Sequence, residues 1–308
     1  MSGARAVVFG YHDVGVRCLQ ALLSARVEVP LVVTVADDPL ENRWFASVAE
    51  VARGYGIEVI VPERPEATCL VERLATLAPD FLFSFYYRAL LPADVLGCAR
   101  RGAFNMHGSL LPKYRGRAPV NWAIVNGERE TGATLHEMVA RADAGDIVDQ
   151  MAVPILADDD AREVYAKVTV AAEIVLVRSL PGLLAGTAPR HAQPIVAGQY
   201  FGRRRPEDGR IDWNWPAERI HNLVRAVAPP FPGAFTEIDH QRVWIHRTRV
   251  ESSRRDATGT PRLYGCDGVC YAACGQGTLR ILAAADQRGP LDLAHLARQW
   301  EARPQRLA

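Results

Sequence analysis

The segment of residues 102–119 carries the side chains best suited to chemistry. Asn105 and His107 alternate with two apolar residues, so on a strand both polar side chains lie on one face. The loop that follows holds three cations, Lys113, Arg115 and Arg117. An amide beside a titratable imidazole, next to a positively charged loop, is suited to stabilising a developing oxyanion. An Asn and a His at this spacing are also common as a structural pair at a strand end. A third partner is therefore needed to distinguish a catalytic role from a structural one.

A carboxylate further along the chain is the candidate third partner. Asp143 lies in a glycine-bearing turn, residues 141–146, between two alternating strand patterns. An Asp in such a turn often bonds only its own backbone. Placed next to His107, the carboxylate is expected to raise the pKa of the imidazole, which would make His107 a cation that stabilises an oxyanion and donates a proton. We therefore predict a catalytic set of Asn105, His107 and Asp143.

The elements that position this set alternate between strand and helix patterns. Short apolar runs predict strands over residues 6–10, 31–35, 57–61 and 81–86, and the segment with Asn105 is the fifth strand. Amphipathic patterns predict helices over residues 13–25, 43–55, 66–77 and 160–185. This order is typical of an α/β protein with a mostly parallel sheet and helices on both faces. The first turn, from Gly10 to Gly15, lacks the central glycine of a dinucleotide site and is expected to serve strand-to-helix packing.

Composition shifts over residues 187–209, where prolines, glycines and a run of arginines interrupt the pattern. We place a domain boundary there, which gives a catalytic domain over 1–200 and a C-terminal domain over 201–308. Short strand patterns at 234–238, 243–250, 268–273 and 278–283 predict a small β-barrel. Cys266, Cys270 and Cys274 recur every four residues in a hairpin pattern without zinc-site spacing, so we expect small buried residues rather than metal ligands.

The charge balance and the distribution of apolar residues exclude several classes of protein. Lys plus Arg number 36 and Asp plus Glu 35, so no global field directs the chain to nucleic acid or a membrane surface. No run of 18 apolar residues and no signal-peptide pattern occur in the sequence, and we expect a cytoplasmic protein without membrane insertion. The predicted chemistry needs no metal and no redox cofactor.

Several motifs together resemble one enzyme family. Asn105-x-His107 followed by Asp143-x-Gly145 resembles the signature of formyltransferases that use 10-formyltetrahydrofolate. The runs FGYHD at 9–13, FSFYYR at 83–88, SLLPKYRGRAP at 109–119, RADAG at 141–145 and FGRR at 201–204 are similar to the formyltransferase half of the bifunctional polymyxin-resistance enzymes. That half formylates the 4-amino group of UDP-4-amino-4-deoxy-L-arabinose for lipid A modification. The resemblance spans nearly the whole chain.

The resemblance implies a Rossmann-like catalytic domain with an Asn–His–Asp triad, followed by an OB-like barrel. It also implies a folate site, which would be formed by Ala89, Leu90, Leu91, Arg117, Val139, Ala140, Arg141, Ala142 and Asp143. For the sugar nucleotide, the residues themselves suggest a ring at a strand end and four cations suited to a diphosphate, namely Tyr87, Lys113, Arg115, Arg203 and Arg204. Arg203 and Arg204 equally fit a solvated linker.

Four alternatives remain open at this point. Within the family, the acceptor could be another nucleotide-linked amino sugar, or the chain could be a methionyl-tRNA formyltransferase, which needs a basic surface for an acceptor stem. In a formyltetrahydrofolate deformylase, water would replace the amine. The fourth alternative is a non-catalytic sensor of folate or nucleotide. The expected partners are a sugar nucleotide and the folate, without nucleic acid, and assembly as a homo-oligomer is left open.

Overall fold

The computed structural model describes residues 3–39, 42–65, 67–194, 200–251 and 260–307. The chain forms two compact units. The first consists of Met1–Pro119, Glu130–Pro154 and Tyr165–Gly202, and the second of Val120–Arg129, Ile155–Val164 and Arg203–Ala308. Two internal segments of the predicted 1–200 domain therefore belong to the second unit.

Strands and helices alternate along the first part of the chain, as the patterns predict. The elements are β1 (Arg5–Gly10), α1 (His12–Ser24), β2 (Glu28–Val33), α2 (Val48–Gly54), β3 (Glu58–Ile60), α3 (Thr68–Leu77), β4 (Phe81–Phe85), α4 (Ala93–Leu96), β5 (Gly102–His107), β6 (Arg115–Gly116), α5 (Pro119–Val125), β7 (Glu130–Glu137), β8 (Ile147–Pro154), α6 (Ala161–Ala185) and β9 (Tyr200–Phe201). The second helix is shorter than its predicted range, because Ser47 caps it by accepting a hydrogen bond from the backbone N–H of Glu50 at 3.2 Å. The predicted start of the third helix, residue 66, lies outside the described residues.

The large sheet confirms the predicted α/β class. Its strand order is β3-β2-β1-β4-β5-β7-β8, with parallel pairing from β3 to β5 and antiparallel pairing of β7 and β8 at one edge. The chain runs outward from β1 in one direction and returns to β4 on its other side, so the topological switch point lies between β1 and β4. In such sheets, ligand sites lie beyond the carboxyl ends of the strands near this point.

The glycines of the first turn serve packing, as predicted. A Cβ added to Gly15 would lie 2.8 Å from a methyl group of Val48, and one added to Gly10 would lie 3.2 Å from the other methyl group. Since α2 occupies this space, the two glycines allow β1, α1 and α2 to approach closely.

The helix α6 is long and apolar, with a mean hydropathy of 1.7 over its most apolar 18-residue window. By length and composition alone it could cross a membrane. Half of that window is buried inside the fold.

The second unit contains an antiparallel sheet that curls into a half-barrel, and it confirms the predicted small β domain. Its further elements are a 3₁₀ turn (Pro206–Gly209), α7 (Ala217–Ala226), β10 (Ala234–Ile238), β11 (Gln241–Glu251), β12 (Arg262–Cys266), β13 (Val269–Ala273), β14 (Thr278–Asp286), β15 (Gly289–Pro290), α8 (Leu293–Ala302) and β16 (Gln305–Arg306). The strand order is β10-β11-β14-β13-β12-β16, with β15 on β14. Cys270 and Cys274 are buried, and the part of the chain that the structure describes holds no cluster of three or more His, Cys, Asp or Glu residues suited to a metal.

Candidate active site

The structure brings the three predicted catalytic residues together at the carboxyl end of β5. His107 is buried and Asn105 half-buried on that strand, and Asp143 reaches them from the turn between β7 and β8. Asp143 Oδ1 lies 3.6 Å from His107 Nδ1 and 3.4 Å from Asn105 Nδ2. A single carboxylate oxygen therefore contacts both the imidazole and the amide.

Local backbone geometry fixes Asp143 in this position. The residue has a φ of 53°, in the left-handed region that Asp tolerates better than most residues. Its Oδ2 accepts a hydrogen bond from the backbone N–H of Gly116 at 2.9 Å. A Cβ added to Gly145 would overlap the carbonyl oxygen of Glu137, so the turn closes only with glycine there. The Asp-x-Gly spacing is thus a requirement of the turn that presents the carboxylate.

The charge state of Asp143 follows from these contacts. Burial by itself would raise the pKa of this carboxyl, but His107, His136 and the Gly116 N–H together hold it well below its usual range. Asp143 is therefore ionised at neutral pH.

The pKa of His107 moves in the direction opposite to our expectation. Burial lowers it below its usual 6.5, and the nearby Asp143 carboxylate opposes this effect only in part. The predicted resting imidazolium is therefore wrong, because sequence spacing shows the carboxylate but not the desolvation of the ring. His107 is neutral in the free protein at pH 7.

The hydrogen on this neutral ring can be placed. His107 Nε2 lies 2.8 Å from the carbonyl oxygen of Tyr114. A carbonyl oxygen only accepts, so Nε2 carries the hydrogen. Nδ1 is then the nitrogen that gains or loses a proton, and it is the one that lies next to Asp143.

His136 is a member of the site that the sequence analysis missed. It pairs with Asn105 across β5 and β7, and its Nε2 lies 3.1 Å from Asn105 Nδ2. Its Nδ1 lies 2.7 Å from the carbonyl oxygen of Glu137, so Nδ1 is protonated and Nε2 accepts from the Asn105 amide. His136 therefore orients the amide. The alternation of β7 places His136 on one face, but only the cross-strand register shows that this face meets Asn105.

Arg115 is buried and supports the turn that carries Asp143. Only 3% of the residue is exposed, its Nε donates to the carbonyl oxygen of Asp143 at 3.0 Å, and its Nη2 donates to Gln193 Oε1 at 2.8 Å. Gln193 Nε2 in turn donates to the carbonyl oxygen of Gly145 at 2.6 Å. The structure therefore places Arg115 in support of Asp143, although its charge suggested a substrate contact.

The residues expected to hold the folate lie on two segments, 89–91 and 139–143, with Arg117 on a separate loop. Leu90 is 70% exposed and Val139 46% exposed, which is unusual for large apolar side chains. Their neighbours Leu91 and Met138 pack against the same buried cluster, which includes Phe9. Ala89, Ala140, Arg141 and Ala142 lie on these two segments, and the exposed Arg117 donates to the carbonyl oxygen of Arg88 at 3.5 Å. An apolar ring system with a polar edge fits such a surface.

The other residues suggested for the sugar nucleotide lie in different settings. Tyr87 packs its ring edge-on against Phe9 at 5.4 Å, and Lys113 is exposed in the loop after β5. In the second unit, Arg203 is exposed. Arg204 is half-buried over the ring of Trp122 at 4.6 Å and donates to the carbonyl oxygen of Asp208 at 3.0 Å.

Comparison with known families gives a match over most of the chain. A family model described as formyl transferase matches residues 4–180, and one described as formyl transferase, C-terminal domain, matches residues 204–298.

Comparison with solved structures finds the same fold. An N-formyltransferase from Helicobacter canadensis, in complex with folinic acid and dTDP-3-aminofucose, is 21% identical with a TM-score of 0.70, and the match covers 94% of this chain and 100% of that one. WlaRD, a sugar 3N-formyl transferase in the presence of dTDP and 5-N-formyl-THF, is 20% identical with a TM-score of 0.71, over 95% and 99% of the two chains. A 4-N formyltransferase from Francisella tularensis is 21% identical with a TM-score of 0.63, over 77% and 93%.

Proposed function

The chain belongs to the formyl transferase family, and we propose that it transfers the formyl group of 10-formyltetrahydrofolate to the 4-amino group of UDP-4-amino-4-deoxy-L-arabinose. The observation that carries the proposal is the convergence of Asn105, His107 and the ionised Asp143 at the carboxyl end of β5. We assign the reaction to the cytoplasm and to lipid A modification, the route to polymyxin resistance implied by the sequence resemblance.

The exposed surfaces near the triad support a folate as donor. The apolar side chains of Leu90 and Val139 can contact a pterin and its aryl group, and the backbone of residues 139–143 supplies polar groups beside them. The solved relatives from Helicobacter canadensis and WlaRD were crystallised with folinic acid and 5-N-formyl-THF. When bound, the donor supplies the formyl carbon and N10 as the leaving nitrogen.

The acceptor assignment has separate support. The same two relatives hold dTDP-3-aminofucose or dTDP, so the fold accommodates nucleotides linked to amino sugars. Among the suggested cations, Lys113 and Arg203 are exposed and suited to a diphosphate. The motifs shared with the polymyxin-resistance enzymes favour the 4-amino arabinose over other amino sugars.

The triad would handle the negative charge that appears as the amine attacks the formyl carbon. Asn105 Nδ2 holds Asp143 by a long contact of 3.4 Å, which an oxyanion can replace, while the 3.1 Å bond to His136 keeps the amide in place. One oxyanion donor of this kind is worth roughly 2.7–4 kcal/mol of barrier.

His107 would move the proton that the reaction must relocate. As the new C–N bond forms, the attacking nitrogen becomes acidic, and neutral His107 Nδ1 can accept its proton. Asp143, 3.6 Å from that nitrogen, stabilises the resulting imidazolium. His107 then returns the proton to N10 as the bond between carbon and N10 breaks, so the proton count balances.

A side-by-side assay with 10-formyltetrahydrofolate tests the proposal. The acceptors are UDP-4-amino-4-deoxy-L-arabinose, other UDP- and dTDP-linked amino sugars and charged initiator tRNA, and one reaction contains no acceptor. Tetrahydrofolate release and product mass are measured. We expect formylation of the arabinose nucleotide only. Product from another amino sugar or from tRNA would reject the acceptor, and donor hydrolysis without an acceptor would make the enzyme a deformylase.

A further inference from the structure

Two adjacent tyrosines follow β4, and the structure gives them different environments. The ring of Tyr87 packs against Phe9 in the core of the first unit. Tyr86 has a φ of 58°, a left-handed conformation that is rare for a bulky residue and is usually found where function requires it. Phe85 pairs with Met106, so Tyr86 leaves the sheet beside His107. Tyr86 thus lies at the switch point and next to the catalytic strand.

The hydroxyl group of Tyr86 is buried and has no hydrogen-bond partner among the described residues. Burial raises the pKa of this phenol, so the group keeps its hydrogen and can both donate and accept. A buried polar atom without a partner destabilises the fold, and native proteins rarely retain one without a reason.

The position of this hydroxyl depends on Gly108, the residue after His107. A Cβ added to Gly108 would overlap the Tyr86 oxygen, while the ring carbon that bears it would lie 3.0 Å away. The absence of a side chain at Gly108 therefore creates the space that the hydroxyl occupies, directly at the end of the catalytic strand.

We propose that Tyr86 is an acceptor-binding residue whose hydroxyl forms a hydrogen bond with the amine-bearing edge of the acceptor sugar when the sugar enters the site. This inference rests on the proposed function. It assigns to Tyr86, rather than to its neighbour Tyr87, the polar contact that orients the attacking nitrogen near His107. The ligand group required is a sugar amine or an adjacent sugar hydroxyl.

The test is the full chain with Tyr86→Phe, which removes only the hydroxyl, compared with the wild type and with Tyr55→Phe, a surface control. Tyr55 ends α2 and is 59% exposed. We expect Tyr86→Phe to raise the KM for the amino-sugar nucleotide about tenfold, the effect of one neutral hydrogen bond, and to leave the KM for the folate unchanged. An unchanged KM for the acceptor, or a change in the KM for the folate alone, would overturn the inference.

A thermal melt separates binding from structure. Because the hydroxyl has no hydrogen-bond partner in the described part of the chain, Tyr86→Phe should keep or raise the midpoint of unfolding. A lower midpoint would show that the hydroxyl holds the fold together, and would count against the inference.

A second variant tests the geometry. Gly108→Ala should displace the hydroxyl and raise the same KM. It should have a smaller effect in the Tyr86→Phe background, where only the ring carbon at 3.0 Å is close to the added Cβ. Additive effects would contradict the shared position. The wild-type assay separates the two proposals: turnover of a different amino sugar would replace the proposed acceptor and leave Tyr86 testable on it, whereas no turnover with any amino sugar would overturn both.

Discussion

The carboxylate of Asp143 offers the sharpest test of the proton transfer proposed for His107. Asp143→Asn keeps the size of the side chain, and the amide oxygen can still accept from the Gly116 N–H. It removes the negative charge 3.6 Å from His107 Nδ1. The change therefore removes the electrostatic stabilisation of the imidazolium that forms during turnover, and it also replaces the oxygen that accepts from Asn105 Nδ2.

The expected loss can be worked out from that distance. Two unit charges 3.6 Å apart attract each other by about 5 kcal/mol at an effective dielectric constant of about 20. Each 1.36 kcal/mol is about tenfold in rate, so kcat/KM should fall by up to roughly several thousandfold at neutral pH.

The pH dependence adds a second, independent signature. In the wild type the neutral ring is the active form, so kcat/KM should fall as the pH drops through the pKa of His107, which lies below 6.5. Without the carboxylate, burial acts on the ring unopposed, so in Asp143→Asn this acid limb should move to lower pH.

The assay is a profile of kcat/KM from about pH 5 to about pH 9 for the wild type, Asp143→Asn and Asp146→Asn. Asp146 is a carboxylate of the same turn, lies outside the triad and provides the matched control. A loss of less than about tenfold in Asp143→Asn, or an acid limb that stays in place or moves to higher pH, would refute the proposed role of Asp143.

Three further changes test the surrounding structure. His136→Ala removes the shorter of the two contacts that orient the Asn105 amide, and it should lower kcat about 10- to 100-fold with little change in the KM for the folate. Steady-state kinetics measures both constants, and equal effects on them would contradict this. Gly145→Ala should lower the free energy of unfolding by about 1–3 kcal/mol in urea, since its Cβ would overlap a backbone oxygen, and an unchanged midpoint would exclude the clash. Arg203→Ala should raise the KM for the sugar nucleotide without loss of stability, whereas Arg204→Ala, which removes the contact with Trp122, should lower the melting temperature; the reverse pattern would exchange their roles.

Local pattern was sufficient to predict the main architecture. Short apolar runs identified β1 to β4, and alternation identified Asn105 and His107 on one face of β5. In the second unit, however, β12, β16 and α8 were not predicted; β16 comprises only Gln305–Arg306 and is fixed by its pairing with β12. An element that is stabilised by partners distant in sequence is difficult to predict from its local sequence pattern.

In the site, too, residue types and motifs predict some members, whereas others depend on contacts between residues distant in sequence. The association of Asp143 with His107 could be expected from the residue types and from the resemblance. The role of His136 depends on a cross-strand register, and that of Arg115 on bonds to Gln193, which is 78 residues away. The pKa of His107 was predicted in the wrong direction because the sign depends on burial, a property of the folded chain.

Two opposing effects act on the pKa of His107, and the proposed catalysis depends on their balance. Burial alone would keep His107 neutral and make the imidazolium inaccessible, whereas the Asp143 charge alone would fix the ring as a cation unable to accept a proton. With both effects present, the ring is neutral at rest, and the proton it accepts is stabilised by a carboxylate already in place. A new oxyanion held by Asn105 would add a further negative charge nearby and increase the proton affinity of the ring at the moment the attacking nitrogen becomes acidic. In the proposed mechanism, the burial of His107 therefore delays protonation of the ring until the transition state provides the charge that stabilises the imidazolium.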